Sequence, residues 1–475
     1  MKPAETGHVK KTLTVSHYFN IGFGAIVGTG WILMVGDWVI VGGGPLAAML
    51  AFLLGALTLL PIAAVFGELT SAIPISGGIV EYIERAFGSK ASFVAGWLLA
   101  FGDGVLCPWE SLAVATIITQ LVAEIFPVLR AYKLYTIMGS DVYLYPVLIA
   151  LLFSGYVIWQ NFRGSLQMAR LQTFLTRTLL FGMCVAMAVS FFKGSPQNFL
   201  PWFEVVTGPA SATNGTNFWT GLAAVLVLTP FFYTGLDTIP DQAEEAHEDL
   251  DWHQFGRVIS WALLASCVFY LVCIYAFSTI LPWTEFVKMP IPALSSLQSI
   301  HFYLYVVMLT IATIGPLGPM NSLFSATARI MLAMGRKGQL PAVFAHVDPK
   351  SGTPKAANIL LAVLTVIGPF LGYSMLLPLT EVAALAFIVP CTMVTMACYR
   401  LRDLEPDLPR PYKVPGGKVG IGAGVLAGGA GIALLVVPGS PAALTWVEWL
   451  ILCGWLCFGA VLYMFRGKRV QKAQN

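Results

Sequence analysis

The sequence predicts an all-α polytopic membrane protein of about twelve transmembrane helices, from its composition, its apolar runs and the placement of its charges. Of the 475 residues, 57% are hydrophobic and only 11% are charged, and the mean hydropathy is +0.77. Soluble domains carry roughly twice that share of charged residues. Stretches of roughly 20 apolar residues, the length that crosses the hydrocarbon core, recur from Val15 to Met464. A large soluble domain is therefore excluded.

Apolar runs between charged, proline or glycine residues define the expected helices. They occupy 14–40, 46–73, 91–127, 142–160, 166–192, 217–240, 257–281, 300–334, 357–374, 377–399, 419–437 and 443–465. We divide the chain accordingly into an N-terminal tail (1–12), helices 1–5 (13–193), helices 6–10 (217–402), a loop (403–418), helices 11 and 12 (419–465) and a C-terminal tail (466–475).

The basic residues of the loops are distributed asymmetrically. With the N-terminus inside the cell, the outer loops carry only Arg130, Lys133, Lys193 and Lys288, and the other basic loop residues face the cytoplasm. This pattern follows the positive-inside rule and predicts a multi-pass protein of the plasma or inner membrane with both termini cytoplasmic. The net charge of +3 then reflects topology and the anionic inner leaflet. The expected partner is the lipid bilayer and not nucleic acid, and the oligomeric state stays open.

Two of the expected helices carry helix-breaking residues at corresponding positions. Glycine occupies four of the nine positions from Gly22 to Gly30 in helix 1, and the segment 230–240 of helix 6 contains two prolines, a glycine and an aspartate. Glycine and proline are poor helix formers, and irregular backbone survives at membrane depth only inside protein or along a wet cavity. Matched breaks in two halves of five helices indicate an inverted-repeat transporter. The alternative is that the glycines only allow close helix packing.

Such breaks expose main-chain groups that suit a zwitterion. Free N–H groups at a half-helix N-terminus attract a carboxylate, and unwound carbonyls attract an ammonium group. We predict that a substrate carboxylate binds the amides of Gly28, Thr29 and Gly30. The substrate amine is expected at the carbonyls of Gly24, Ala25, Phe231 and Phe232. The expected cargo is therefore a small molecule with an amine group, with an amino acid favoured.

Several longer motifs carry a family resemblance. They are GAIVGTG at 24–30, GEL at 67–69, IPISGG at 73–78, FSATAR at 324–329, MGRKGQLP at 334–341, GTP at 352–354, RLRDLEP at 400–406 and RPYKVP at 410–415. In this order they resemble the amino acid/polyamine/organocation (APC) family, over about His17 to Gly417. The resemblance implies a LeuT-like core of 5+5 helices in an inverted repeat, two C-terminal helices, and alternating access around a site at the bilayer midplane.

The resemblance also implies where the site lies. Carried over position by position, the family's substrate site falls on Ala25, Gly28, Thr29 and Gly30 in helix 1 and on Phe231, Tyr233, Thr234 and Gly235 in helix 6. The aromatic residue at the place of Phe231 covers the substrate in family members, although Phe231 and Tyr233 also fit ordinary core or lipid-facing aromatics. The segment 107–111 aligns with residues of helix 3 that line the family's site, which adds Cys107 and Glu110.

Ionisable residues at or near membrane depth need a reason, because a charge there costs at least roughly 2.5 kcal/mol. They are Asp37, Glu68, Asp103, Glu110, Arg177 and Asp237. Asp103 and Glu110 are seven residues apart and would share one helix face. We take Asp237, Glu110, Asp103 and Arg177 as candidates for coupling transport to a proton. The structural alternatives are that helix-end amides hold Asp237 and that neighbouring helices satisfy Glu110.

The coupling ion stays open between a proton, sodium and none, and so does the choice between symport and exchange. Sodium-independent family members carry a lysine in helix 5 whose place falls on Leu179, with Arg177 two residues away and about 200° around the helix. Either the alignment with the family is shifted here, or Arg177 substitutes for the lysine, or another group couples transport. Thr310 and Thr313 offer hydroxyls that could bind sodium.

An acidic cluster follows helix 6: Asp241, Glu244, Glu245, Glu248, Asp249 and Asp251. It is expected to form salt bridges with Arg85 or Arg163 at the inner end of the protein, and a metal site is the alternative.

Other classes of function are disfavoured. The sequence shows no cysteine or histidine spacing typical of a metal site and no pairing of a nucleophile with a base, so neither an enzyme nor a resident cofactor is predicted. A substrate sensor on the same scaffold would be expected to carry a long signalling tail. Within transport, decarboxylated amines or polyamines are the alternative to amino acids, because an additional carboxylate such as Glu110 suits a cationic cargo.

Overall fold

The computed structural model describes residues 14–28, 30–75, 77–163, 166–206, 216–241, 243, 246–247, 249–349 and 351–467, with the backbone alone at 166–176 and 241. The chain is 77% helical with 2% strand. The predicted class, an all-α polytopic membrane protein, is confirmed.

The first half of the chain begins with a bent helix pair. Helices α1 (Val15–Ile26) and α2 (Gly30–Gly42) meet at an angle of 53°. The helices that follow are α3 (Pro45–Ala72), α4 (Gly78–Phe87), α5 (Ser89–Gly104), α6 (Leu106–Ile117), α7 (Ala123–Ile125), α8 (Leu144–Arg163) and α9 (Leu166–Lys193). A π-helical turn (Ile118–Val122) joins α6 to α7, and α5 to α7 together form one 37-residue span.

The second half begins with a helix in three pieces. These are α10 (Phe218–Leu226), α11 (Thr229–Phe232) and α12 (Thr238–Asp241). The remaining helices are α13 (Trp252–Ser278), α14 (Trp283–Phe286), α15 (Pro292–Ile300), α16 (Phe302–Ile314), α17 (Leu317–Arg336), α18 (Lys355–Ile367), α19 (Leu376–Leu404), α20 (Gly417–Val436) and α21 (Trp446–Met464). Short 3-10 turns occupy Pro127–Arg130, Pro196–Phe199, Ala342–Ala345, Gly368–Phe370 and Tyr373–Met375.

Among the described residues, eight helices are long and apolar enough to cross a membrane, and the bent pair makes nine. The other three predicted spans take different forms. Helix α9 has 28 residues but its sequence includes Arg170 and Arg177. The sixth span is divided among α10 to α12, and α18 has 13 residues and continues into the Gly368–Phe370 turn.

A β-hairpin stands where the sequence analysis expected an outer loop. Strands β1 (Lys133–Ile137) and β2 (Ser140–Tyr143) pair antiparallel, with Ile137 opposite Ser140. Met138 and Gly139 connect them with φ values of 45° and 81°, as two-residue hairpin turns commonly require.

The last helix is fixed to the third span by a reciprocal tryptophan pair. The indole N–H of Trp97 on α5 donates to the carbonyl of Trp455 on α21, and the indole N–H of Trp455 donates to the carbonyl of Trp97, each at 2.9 Å. The two rings stack with their centroids 4.3 Å apart. Each buried indole N–H thereby finds the acceptor that it needs, which anchors α21 to the bundle.

Candidate substrate site

The first helix is interrupted where the glycine run predicted it. α1 ends at Ile26 and α2 begins at Gly30, and the amide of Val27 closes the last turn of α1 on Phe23 O (2.9 Å). The Gly28 amide, predicted for a substrate carboxylate, donates to Ile26 O at 3.2 Å. Thr29 lies outside the described residues.

The sixth helix is interrupted between Phe232 and Thr238, as predicted. Gly235 lies inside the break with a φ of +113°, a conformation open to glycine and strained for other residues. The Gly235 amide donates to Asp237 Oδ1 at 3.2 Å, and the Thr238 hydroxyl donates to Gly235 O at 2.6 Å. Asp237 therefore holds the unwound turn with one of its oxygens, as the structural alternative for this residue required.

The two breaks touch each other. A Cβ added to Gly235 would lie 2.9 Å from the carbonyl carbon of Ala25 and 3.0 Å from the amide nitrogen of Ile26. The hydroxyl of Tyr270 on α13 lies 3.1 Å from Ile26 O and 3.0 Å from Phe232 O, so one side chain joins the carbonyls at the ends of α1 and α11. Sequence reasoning missed Tyr270, because no local signal separates it from other aromatics in an apolar helix.

The third span contributes a carboxyl group to the break in helix 1. The Oε1 atom of Glu110 on α6 lies 3.6 Å from the position that a Cβ on Gly28 would take. Cys107 donates its thiol to Met320 O on α17 at 3.6 Å. Trp109, which the sequence analysis did not single out, places its ring 5.6 Å from the ring of Phe231. Its indole N–H points to Leu376 O (3.3 Å) and Thr380 Oγ1 (3.2 Å) on α19.

Asp103 and Glu110 lie near different helix breaks. The carboxyl group of Asp103 on α5 interacts with that of Asp237, and both residues are buried. Both residues belong to the 37-residue span of α5 to α7, and Val105 between them keeps helical dihedral angles (φ −66°, ψ −20°), so their common helix face stays a prediction. Two buried carboxyl groups thus meet at the break in helix 6, and a third lies at the break in helix 1.

Sequence comparison places the chain among known transporters. The family described as "Amino acid permease" matches residues 13–463. The chain belongs to this family. The predicted APC membership is thereby confirmed.

Three bacterial relatives carry different names. Over 461 residues the chain is 24% identical to the branched-chain amino acid permease BcaP of Bacillus subtilis, covering 95% of this chain and 92% of the relative. It is 23% identical to the methylthioribose transporter (97% and 94% covered) and 26% identical to the aspartate-proton symporter (87% and 77% covered) of the same organism. Because the named cargoes differ at similar identity, these likenesses leave the cargo of this permease open.

Some predicted site residues of the permease have other contacts. Tyr233 donates its hydroxyl to Phe52 O on α3 at 3.0 Å, and Thr234 donates to Pro230 O at 3.0 Å. The side chain of Arg177 is exposed on α9, whereas Leu179 is buried. The structure therefore places Arg177 on the exposed face of α9, away from the other coupling candidates, which are buried. The lysine of sodium-independent family members would lie on the opposite, buried face, at Leu179.

The other polar side chains that the sequence analysis named also form contacts close to their own positions. Thr310 and Thr313 donate to the carbonyls four residues before them, on Val306 and Leu309. Arg85 pairs with Glu81 (2.8 Å) and Glu405 (3.5 Å), and the guanidinium of Arg163 lies 4.4 Å from the Trp159 ring centroid. Of the acidic cluster, Glu244, Glu245 and Glu248 lie outside the described residues. Asp251 caps the N-terminus of α13, while Asp249 is 93% exposed.

The centre of the permease is packed. A Cβ on Gly30 would meet the ring of Phe232 at 2.9 Å and that of Trp109 at 3.8 Å. Phe231 and Phe232 are each only 4% exposed. A cavity of about 490 Å³ lies elsewhere, lined among others by Asp37 on α2 and Tyr373. The predicted substrate residues do not line that cavity, which lies about 10 Å farther along α2 than Gly30.

Proposed function

We propose that this permease is a secondary active transporter that moves amino acids across the cell membrane by alternating access, with both termini cytoplasmic. The observation that carries the proposal is the contact of Gly235 with Ala25 and Ile26. This contact brings two interrupted membrane helices to one point, where main-chain groups can bind both ends of a zwitterion. The relatives named for branched-chain amino acids and for aspartate support the same cargo class.

The carboxyl group of Glu110 supports coupling to a proton. It lies beside Gly28, where the proposed substrate carboxylate would bind. Two carboxylates in contact away from water disfavour each other's ionised form, so the substrate carboxylate binds there when Glu110 carries a proton. The Asp103–Asp237 pair offers a second place for a proton by the same reasoning. Proton symport is our first proposal for the coupling mode, and exchange of one amino acid for another is the second.

The same carboxyl group favours one alternative cargo. An ionised Glu110 would attract an ammonium group, so a decarboxylated amine or polyamine could bind with one positive charge at Glu110 and the rest of the molecule against Phe231. Such a cargo would need no protonation of Glu110. Its transport would therefore respond differently to an imposed proton gradient.

Uptake into proteoliposomes tests the proposal. We would screen the twenty amino acids, putrescine, cadaverine and spermidine for thermal stabilisation of the purified protein, where saturation at 100 times Kd adds about 2.7 kcal/mol. Ligands that stabilise the protein are then assayed for uptake with and without an inward proton gradient. We expect amino acid uptake that the gradient stimulates, and loss of that stimulation in Glu110→Gln.

Asp403→Asn, which neutralises an acid that is 60% exposed, is the control and should keep the stimulation. Uptake that depends only on amino acid inside the vesicles would favour exchange. Uptake of amines alone would favour the alternative cargo, and stabilisation or uptake by none of the compounds would contradict both.

A further inference from the structure

The 490 Å³ cavity lies at the hairpin end of the permease, and we call it the vestibule. Its lining includes Asp37 on α2, Thr116 on α6, Arg130, Ser140 on β2, Lys288 and Tyr373. This volume lies within the range of about 300 to 1,000 Å³ that is usual for pockets that bind small molecules. In the orientation that we propose, the vestibule opens to the outside of the cell.

Asp37 is the buried charge of the vestibule. It is 6% exposed, and the hydroxyl of Tyr373 lies 3.1 and 3.0 Å from its two carboxylate oxygens. A hydroxyl donates one proton, whereas an ionised carboxylate accepts about four hydrogen bonds. Asp37 takes part in none of the ion pairs found among the described residues. A cationic partner would offset the cost of burying this carboxylate, and the vestibule has room for one.

The other charged side chains of the vestibule already have partners, with one exception. Arg130 donates to Thr119 O at 2.8 and 2.5 Å and to Gln120 O at 3.3 Å, where the π-helical turn alters the regular pattern of backbone hydrogen bonds. Asp141 pairs with Lys133 at 2.6 Å. Lys288 is exposed and has no such partner in the part of the chain that the structure describes. The vestibule therefore offers one acid and one base to a ligand.

The hairpin and the segment 370–374, whose Tyr373 contacts Asp37, form one wall of the vestibule. Tyr135 donates its hydroxyl to Phe370 O at 2.5 Å, the Ser374 amide donates to Ser140 Oγ at 3.0 Å, and the Ser374 hydroxyl donates to Ile137 O at 3.2 Å. Tyr373 lies between these contacts in sequence. These hydrogen bonds to the hairpin therefore fix the position of the Tyr373 hydroxyl over Asp37.

We propose that the vestibule is a second binding site for the amino acid cargo, in which the ammonium group binds Asp37 and the carboxylate faces Lys288. This inference rests on the proposed function for the identity of its ligand. The cargo would bind first at Asp37 and then reach the helix breaks about 10 Å away along α2. The vestibule is thus distinct from the site at Gly28 and Gly235.

Charged thiol reagents test the site without requiring transport. In a background with the exposed Cys184, Cys453 and Cys457 changed to serine, Thr119→Cys places a thiol in the vestibule wall. We would measure its rate of modification by methanethiosulfonates with a trimethylammonium or a sulfonate head, in detergent so that both faces are accessible. We expect the cationic reagent to react faster than the anionic one. Asp37→Asn should lower this ratio of rates about tenfold, which corresponds to about 1.4 kcal/mol.

Two matched variants distinguish the effect of the Asp37 carboxylate from that of any other negative charge near the vestibule. Asp141→Asn removes the same charge from a paired acid, and we expect it to change the preference less than about twofold. Tyr373→Phe keeps the charge of Asp37 and should keep the preference. If Asp37→Asn does not fold, Lys288→Gln serves instead, and it should slow the sulfonate reagent. An unchanged ratio of rates in the folded Asp37→Asn or Lys288→Gln variant would overturn the proposal.

Protection identifies the ligand. An amino acid that stabilises the protein should slow modification of Thr119→Cys, its N-acetylated form should not, and the protection should disappear in Asp37→Asn. Equal protection by sodium chloride alone would overturn the amino acid as occupant in favour of a metal cation. Uptake without protection would overturn the vestibule site alone, whereas protection without uptake of any amino acid would overturn the proposed function alone.

Discussion

The two ends of the helix bundle differ in how they are packed. At the hairpin end the vestibule leaves a hollow of about 490 Å³. At the opposite end, near the close of α3, the buried Glu68 accepts two hydrogen bonds from Arg402 at 2.9 and 2.5 Å and one from the Val414 amide at 2.7 Å. Arg410 lies 3.4 Å from the same carboxylate. We call these residues the Glu68 cluster.

A second set of ion pairs strengthens this closed end. Lys337, at the end of α17, pairs with Glu81 at 2.5 Å and with Glu84, both on α4. Arg85 joins Glu81 to Glu405. The structure is therefore closed by ion pairs at one end and hollow at the other, an asymmetry that fits the alternating access proposed above. Each end can be perturbed separately.

The largest expected effect comes from breaking the Glu68 cluster. Glu68→Gln leaves Arg402 and Arg410 without their common carboxylate, and losing one partner of a buried ion pair costs about 3 to 5 kcal/mol. We expect a large fall in the midpoint of thermal unfolding of the purified protein. Glu405→Gln is the control, because its pair with Arg85 is exposed and should contribute less than about 1 kcal/mol. Equal shifts in the two variants would contradict the role given to the cluster.

An intermediate effect is expected at the point between the two ends where the helix breaks touch. Gly235→Ala puts a methyl group against the backbone of Ala25 and forces a side chain into a φ of +113°, a strain of about 1 to 3 kcal/mol. Uptake of the cargo should fall about tenfold or more. Gly155→Ala on α8, where an added Cβ meets nothing within 4 Å, should transport normally. Normal uptake by Gly235→Ala would argue against a tight contact of the breaks during transport.

The smallest effect concerns the pH dependence of the closed end. Burial raises the pKa of Glu81, but its pairs with Arg85 and Lys337 outweigh burial and bring the pKa below the ordinary value of 4.5. A lowered pKa means that Glu81 stabilises the folded protein above pH 4.5 and that this stabilisation is lost as the pH falls through the lowered pKa. Its size should be below about 1 kcal/mol, because the pairs are partly exposed.

Thermal unfolding of wild type and Glu81→Gln checks this prediction. The wild type should unfold at the higher temperature at pH 7, and the difference should shrink in strongly acidic buffer. A difference that stays constant with pH would show that the carboxylate charge of Glu81 does not carry the stabilisation.

The helix breaks were predictable because their cause is local. Four glycines between Gly22 and Gly30, and Pro230 with Gly235, disfavour a continuous helix whatever surrounds them. The seven-residue spacing of Asp103 and Glu110 predicts that they share a face of one span, but it could not show that Asp103 interacts with Asp237 or that Glu110 lies beside Gly28. The hairpin was missed because its strands are only five and four residues long. It gains its order from contacts with Phe370 and Ser374, more than 200 residues later.

The sequence by itself determined the membrane class, the family and the two points at which helices unwind, because hydropathy and backbone preference act over about twenty residues or fewer. Only the tertiary structure decided what meets at those points. Tyr270 reaches the carbonyls of Ile26 and Phe232, Glu110 lies against Gly28, and Tyr373 covers Asp37. Each of these contacts joins residues far apart in the chain, so it arises from how whole helices pack and not from the preferences of either segment alone.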